Sequence, residues 1–144
     1  MADKGGDRIM ELKNRSQYLD KLISVQDMEV IKVVTGIRRC GKSSLLKLMM
    51  AHLREQGVME EQILSMNFES MQFADMDSKS LYQYVMERAP KGKRLYLFLD
   101  EVQKVRDWQD AVNSFRVDLY CDIYVTGSNA YLLSSELSLS LIHS

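Results

Sequence analysis

The chain has 144 residues, 46% apolar and 27% charged, with a net charge of -1 and one proline. That is the composition of one globular domain able to bury roughly two-thirds of its unfolded surface, and it excludes a disordered chain or one gripping nucleic acid by bulk charge. No apolar run reaches membrane-spanning length and the N-terminus carries no signal-peptide core, so a cytoplasmic location away from membranes is expected.

Residues 1–14, with Gly5-Gly6 among charges, read as a flexible N-terminus. From Arg15 to Val25, Tyr18, Leu19, Leu22 and Ile23 fall on one side of a short amphipathic helix. Val30 to Thr35 is β-branched and mostly apolar, which predicts a buried strand. A glycine-containing loop follows, and Ser44 to Leu53 then predicts a helix. Its Leu45, Leu48, Met49 and His52 lie at helical spacing, and Gly57 is the stop signal. Ile63 to Phe68 reads as a second strand. Asp75, Asp77 and Ser78 supply N-cap candidates for a helix reaching Arg88, with Leu81, Tyr84 and Val85 inward.

Ala89 to Lys93 is a turn, and Arg94 to Leu99 a continuous apolar strand that ends in Asp100-Glu101. Asp107 is placed to cap a helix in which Trp108, Ala111, Val112, Phe115 and Leu119 share a face. Asp122 to Thr126 is a fourth strand ending in Gly127-Ser128-Asn129. Strands alternating with helices call for an α/β fold, a mostly parallel sheet with flanking helices. The polar residues that could carry chemistry all fall at the C-terminal ends of strands, where such sheets bind ligands.

The loop Gly36-Ile37-Arg38-Arg39-Cys40-Gly41-Lys42-Ser43, continuing into Ser44, fills the pattern G-x-x-x-x-G-K-[ST]. Two glycines let backbone approach a phosphate chain where a Cβ would collide, and successive N–H groups with the following helix N-terminus supply positive potential. Lys42 is placed to reach the β- and γ-phosphates and the Ser43 hydroxyl to complete a Mg2+ shell. Asp100 is then expected near the metal, through water, and Glu101 to deprotonate an attacking water. Consecutive strand residues point to opposite faces, so both carboxylates can serve one site only if the strand ends and turns between them. A Ras-type GTPase would carry glycine where Gln103 stands and an Asn-Lys-x-Asp guanine reader, which is absent.

With these segments in hand, the chain resembles the AAA-plus-type P-loop ATPases. More narrowly, it resembles a bacterial and archaeal group of ATP-binding proteins in which the ATPase core precedes a C-terminal domain. The likeness rests on Val33 to Ser43, Leu97 to Gln103, Asp107-Trp108 and Tyr124 to Ala130, and spans residues 15–138. It implies ATP and Mg2+ as ligands and places the Ser128-Asn129 strand between the loop strand and the Asp100 strand. Ser128 or Asn129 would sense the γ-phosphate, and Asn67 occupies the position of a residue that restrains the catalytic glutamate; capping of its own strand end is an equal reading. Family members continue past Leu137 into another strand, an arginine finger and the C-terminal domain. Residues 139–144 therefore read as a divergent or truncated tail, and the sheet as lacking its last strand.

Three functions follow for comparison. The leading one is a Mg2+-dependent ATPase core, with ATP as its ligand and self-association or a protein partner to complete it. The second is a non-catalytic, ATP-binding switch, and the third a remnant that does not turn over. The two cysteines lack disulfide or zinc spacing, and His52 and His143 lack ligand partners. Trp108 reads as a core anchor, and the Lys91 to Arg94 cluster is too short to bind nucleic acid.

Overall fold

The computed structural model describes residues 16–35, 39–127 and 138–142. Five strands form one parallel sheet in the order β2-β3-β4-β1-β5. They are β1 (Ile31–Val34), β2 (Ile63–Asn67), β3 (Leu95–Asp100), β4 (Cys121–Thr126) and β5 (Ser138–Ile142). Helix α1 covers residues 16–24, and α2 (Arg39–Glu55), α3 (Ser78–Arg88) and α4 (Trp108–Asp118) connect the strands.

The strands expected to be buried on both faces are. Every residue of β1 and β3 is buried, as are all but the first of β4. Edge strand β2 is half-covered, with Ser65 and Asn67 exposed. Alternation along the strands separates two cores. Val33, Leu95, Leu97, Leu99, Ile123 and Val125 face α3 and α4, where Leu81, Val85, Trp108 and Phe115 cover them. Val34, Tyr96, Phe98 and Tyr124 face α1 and α2, meeting Leu22, Leu45, Met49 and Leu53. Trp108 is thus a core anchor, as its position in the α4 pattern predicts.

Helix α2 differs from expectation in two ways. It begins at Arg39 rather than Ser44, because the second half of the glycine loop already winds into the first turn, whose N–H groups have no intrahelical partner to lose. Its buried stripe is Leu45, Leu46, Met49, Met50 and Leu53, while Leu48 is 40% exposed. The helix closes as foreseen at Gly57, φ +92°. Val58 N–H donates to the Leu53 carbonyl and Gly57 N–H to that of Arg54, both at 3.0 Å, a Schellman ending that needs the left-handed residue.

Helix α3 starts with a capping box. Asp77 accepts from Ser80 N–H at 2.9 Å, and these bonds hold the Asp77 carboxyl below its usual range. Asp107 precedes α4 but does not cap it through its side chain, because its own backbone is left-handed (φ +57°). Only its carbonyl engages the helix, accepting from Asp110 N–H at 3.0 Å.

The fifth strand corrects the expectation of a sheet lacking its last member. Residues 138–142, mostly assigned to the tail, lie parallel to β1, with Ile31 opposite Ser138 and Val33 opposite Ser140. Ser138-Leu139-Ser140-Leu141 alternates polar and apolar residues, the period of a strand. The edge of β1 is therefore paired rather than exposed.

At the N-terminal end of the sheet, a buried polar network ties the turn after α1 to the strands. Lys32 pairs with Asp122, both fully buried, and donates to the Met28 carbonyl at 2.6 Å. Asp122 also accepts from Tyr124 Oη at 2.7 Å and from Asp27 N–H at 3.0 Å. Tyr96 Oη donates to Asp27 at 2.7 Å. Burial, reinforced by these carboxylates, raises both tyrosine hydroxyls well above their usual range.

Candidate functional site

The C-terminal ends of the three central strands, with the head of α2, gather the polar residues that the sequence singles out. In-register pairing sets Leu99 beside Val125 and Val34 beside Thr126. Asp100, next along β3, therefore emerges next to Thr126 on the face that α2 covers.

Asp100 is 6% exposed, and a hydroxyl lies on each of its oxygens. Ser43 Oγ donates to Oδ2 at 2.5 Å, and Thr126 Oγ1 donates to Oδ1. Thr126 also accepts the backbone N–H of Glu101 at 2.9 Å, so one buried hydroxyl fixes both acidic residues. Glu101 has φ +59° and ψ +50°. That left-handed turn removes the alternation of the strand and lets adjacent carboxylates address one site, a strained geometry often met at functional positions.

Lys42 is 7% exposed. Its ammonium donates to the Gly127 carbonyl at 3.0 Å and lies 3.5 Å from Glu101 Oε1. Glu101 Oε2 in turn accepts from Gln103 Nε2 at 2.6 Å. Among the described residues, the site thus holds one buried cation, two buried carboxylates and two hydroxyls. A hydroxyl against a carboxylate, at the head of a helix, is an oxygen donor set that suits a hard divalent cation retaining most of its water. Among the described residues no cluster of three or more His, Cys, Asp or Glu could enclose a metal.

The structure brings Lys42, Ser43, Asp100 and Glu101 together as the sequence predicts, with Gly41 and Ser44 beside them in α2. Arg39 and Cys40 open the same helix. Gly36, Ile37, Arg38, Ser128 and Asn129 lie outside the described residues. Asn67 does not take the restraining position: its Oδ1 accepts from Glu69 N–H at 3.0 Å, capping its own strand end. Sequence reasoning passed over Thr126 and the bond from Gln103 to Glu101. The signal for Thr126 was a hydroxyl at the C-terminal end of a buried apolar strand. In the cationic run before β3, Lys93 pairs with Glu61 at 2.6 Å and Arg94 with Asp27 at 3.3 Å, while Lys91 is exposed.

Residues 29–143 match the AAA domain family. The chain belongs to that family. It is 42% identical over 127 residues to an uncharacterised protein of Haemophilus influenzae, covering 87% of this chain and 32% of that protein. An uncharacterised protein of Methanocaldococcus jannaschii is 26% identical over 134 residues, covering 92% of this chain and 29% of that protein. The AAA domain described here thus spans about a third of the length of these curated relatives. Among solved structures, a chain in a complex of Drosophila ORC bound to AT-rich DNA and Cdc6 superposes with a TM-score of 0.67 at 12% identity. The match covers 94% of this chain and 54% of that one. At that identity the likeness speaks for the fold, which is that of a P-loop NTPase. The AAA domain is accordingly an ATP-binding module of AAA type, and among its described residues no helix is long and apolar enough to cross a membrane.

Proposed function

We propose that this AAA domain binds ATP with Mg2+ and hydrolyses the γ-phosphate bond. The observation that carries the reading is the contact of Ser43 Oγ with Asp100 Oδ2 at 2.5 Å, with Lys42 and Glu101 paired beside it. In this reading Gly36 to Ser44 cradles the phosphates through backbone N–H groups, and Lys42 leaves the Gly127 carbonyl to bind phosphate oxygens. Ser43 and Asp100 would hold the metal, which when bound would offset charge on the phosphate oxygens. Glu101 accepts a proton from the attacking water, and Ser128 or Asn129 contacts the γ-phosphate. In keeping with the family resemblance, a second copy or another protein segment would add a basic residue to the site. Such a finger contributes on the order of 10³–10⁵ in rate.

The test is a thermal melt with and without MgATP, followed by phosphate release. At a ligand concentration of a hundred times Kd, binding should stabilise the parent by about 2.7 kcal/mol, a rise of several degrees in Tm. Lys42→Ala should abolish that rise. Glu101→Gln should keep it while cutting turnover by roughly 10²-fold or more. A parent without a MgATP shift would refute binding, and a Glu101→Gln variant as fast as the parent would refute the assigned base.

A further inference from the structure

Gln103 carries a feature that nucleotide binding alone does not explain. Its side-chain carbonyl, Oε1, is buried without a hydrogen-bond partner, while its Nε2 donates to Glu101 Oε2 at 2.6 Å. Buried acceptors are nearly always satisfied, and an orphan beside a carboxylate calls for a partner that the protein does not supply, such as an ordered water. Reversing the amide would set two acceptors against each other, so the donor to Glu101 fixes which way the carbonyl points. The backbone there is held too. Gln103 sits in the tight turn Val102–Lys104, where Lys104 N–H reaches the Glu101 carbonyl at 3.2 Å and Val102 and Val105 are buried.

We propose that Gln103 is a positioning residue for the hydrolytic water, which rests on Glu101 being the base. The amide N–H holds the Glu101 carboxylate, and the amide carbonyl accepts one proton of the water whose other proton Glu101 takes. A lone pair of that water is then aimed at the γ-phosphorus. The water oxygen bonds to phosphorus as the bond to the β-phosphate oxygen breaks, and ADP leaves with that electron pair. The proton on Glu101 passes to the released phosphate, and Gln103 ends as it began. Lys42, the other group beside Glu101, would be drawn to phosphate, and Asn67 is committed to its own turn. Gln103 is therefore the partner that stays with Glu101.

The experiment measures dissociation constants of MgADP and of MgADP with aluminium fluoride, which mimics the transferring phosphoryl group with its in-line water. Fluorescent-nucleotide displacement on the parent, Gln103→Met and Gln103→Glu reads both. Gln103→Met should weaken the fluoride complex roughly 10- to 100-fold and leave MgADP within about 2-fold. Gln103→Glu should regain fluoride-complex affinity as the pH falls, relative to the parent at each pH. A protonated carboxyl again offers one donor and one acceptor, a rescue that a merely structural role would not produce. Parental affinity for the fluoride complex in Gln103→Met, or equal weakening of both ligands, overturns the proposal. A parent that binds the fluoride complex no tighter than MgADP overturns the hydrolytic reading and this proposal together, leaving nucleotide binding intact.

Discussion

Thr126→Val removes one hydroxyl from a site where that hydroxyl has two duties. Valine matches the shape of threonine, so packing at this fully buried position is preserved and the change is electrostatic. The Asp100 carboxylate loses a donor, and hydrogen bonds to charged groups contribute about 1.5–3 kcal/mol each. The Glu101 N–H, now 2.9 Å from the hydroxyl, is left buried without its partner, at a cost of about 1–3 kcal/mol. The two losses share one atom and do not simply add, so the expected destabilisation is about 2–4 kcal/mol. A domain of this size is stable by roughly 5–15 kcal/mol, so the effect is large. Urea unfolding reads it as a lower midpoint at unchanged slope. The MgATP-induced rise in Tm should also shrink, because Asp100 loses one of the two described hydroxyls that orient it. Thr126→Ser, which retains the hydroxyl, should lose far less of both. A valine variant within about 0.5 kcal/mol of the parent would show that the Thr126 bonds do not hold the acidic pair.

The network at the opposite end of the sheet predicts that Asp122→Ala costs about 3–5 kcal/mol in urea unfolding, since it strands the buried Lys32 ammonium. The double variant Lys32→Met, Asp122→Leu should recover the part owed to the Lys32 charge, and failure to recover any would assign the cost to the Tyr124 hydroxyl and Asp27 N–H, which lose the same acceptor. Burial pushes the Cys121 thiol up from 9.0 to about 11. Above pH 9.0 the unfolded chain releases this proton while the native state keeps it, so stability should be complete below pH 9.0 and fall as the pH rises to about 11. Tm measured across that window should decline for the parent and less steeply for Cys121→Ala. Equal slopes would remove Cys121 from the account, since Tyr96 and Tyr124 act in the same direction.

How much was legible follows from how far each signal reaches along the chain. The glycine loop, the buried strands and the α3 and α4 stripes are written in neighbouring residues, through backbone sterics and the periods of strand and helix. They determined an α/β chain with Lys42 and Ser43 in the loop-to-helix segment after one strand and Asp100 and Glu101 at the end of another. The α2 stripe shows where local pattern ran short. Leu48 and Leu45 fit helical spacing equally well, and only the sheet face that α2 meets decided that Leu45 goes inside and Leu48 out. The same holds for the site itself. No local rule brings Thr126 to Asp100 or lays residues 138–142 along β1. Those outcomes depend on strand order and register, which are settled by packing between segments far apart in sequence. The sequence alone determined the loop lysine and serine and the acidic pair, while the tertiary structure added Thr126 and Gln103 and decided which group holds which. A hydrogen bond requires its partners within about 3 Å, a condition that only the assembled sheet meets.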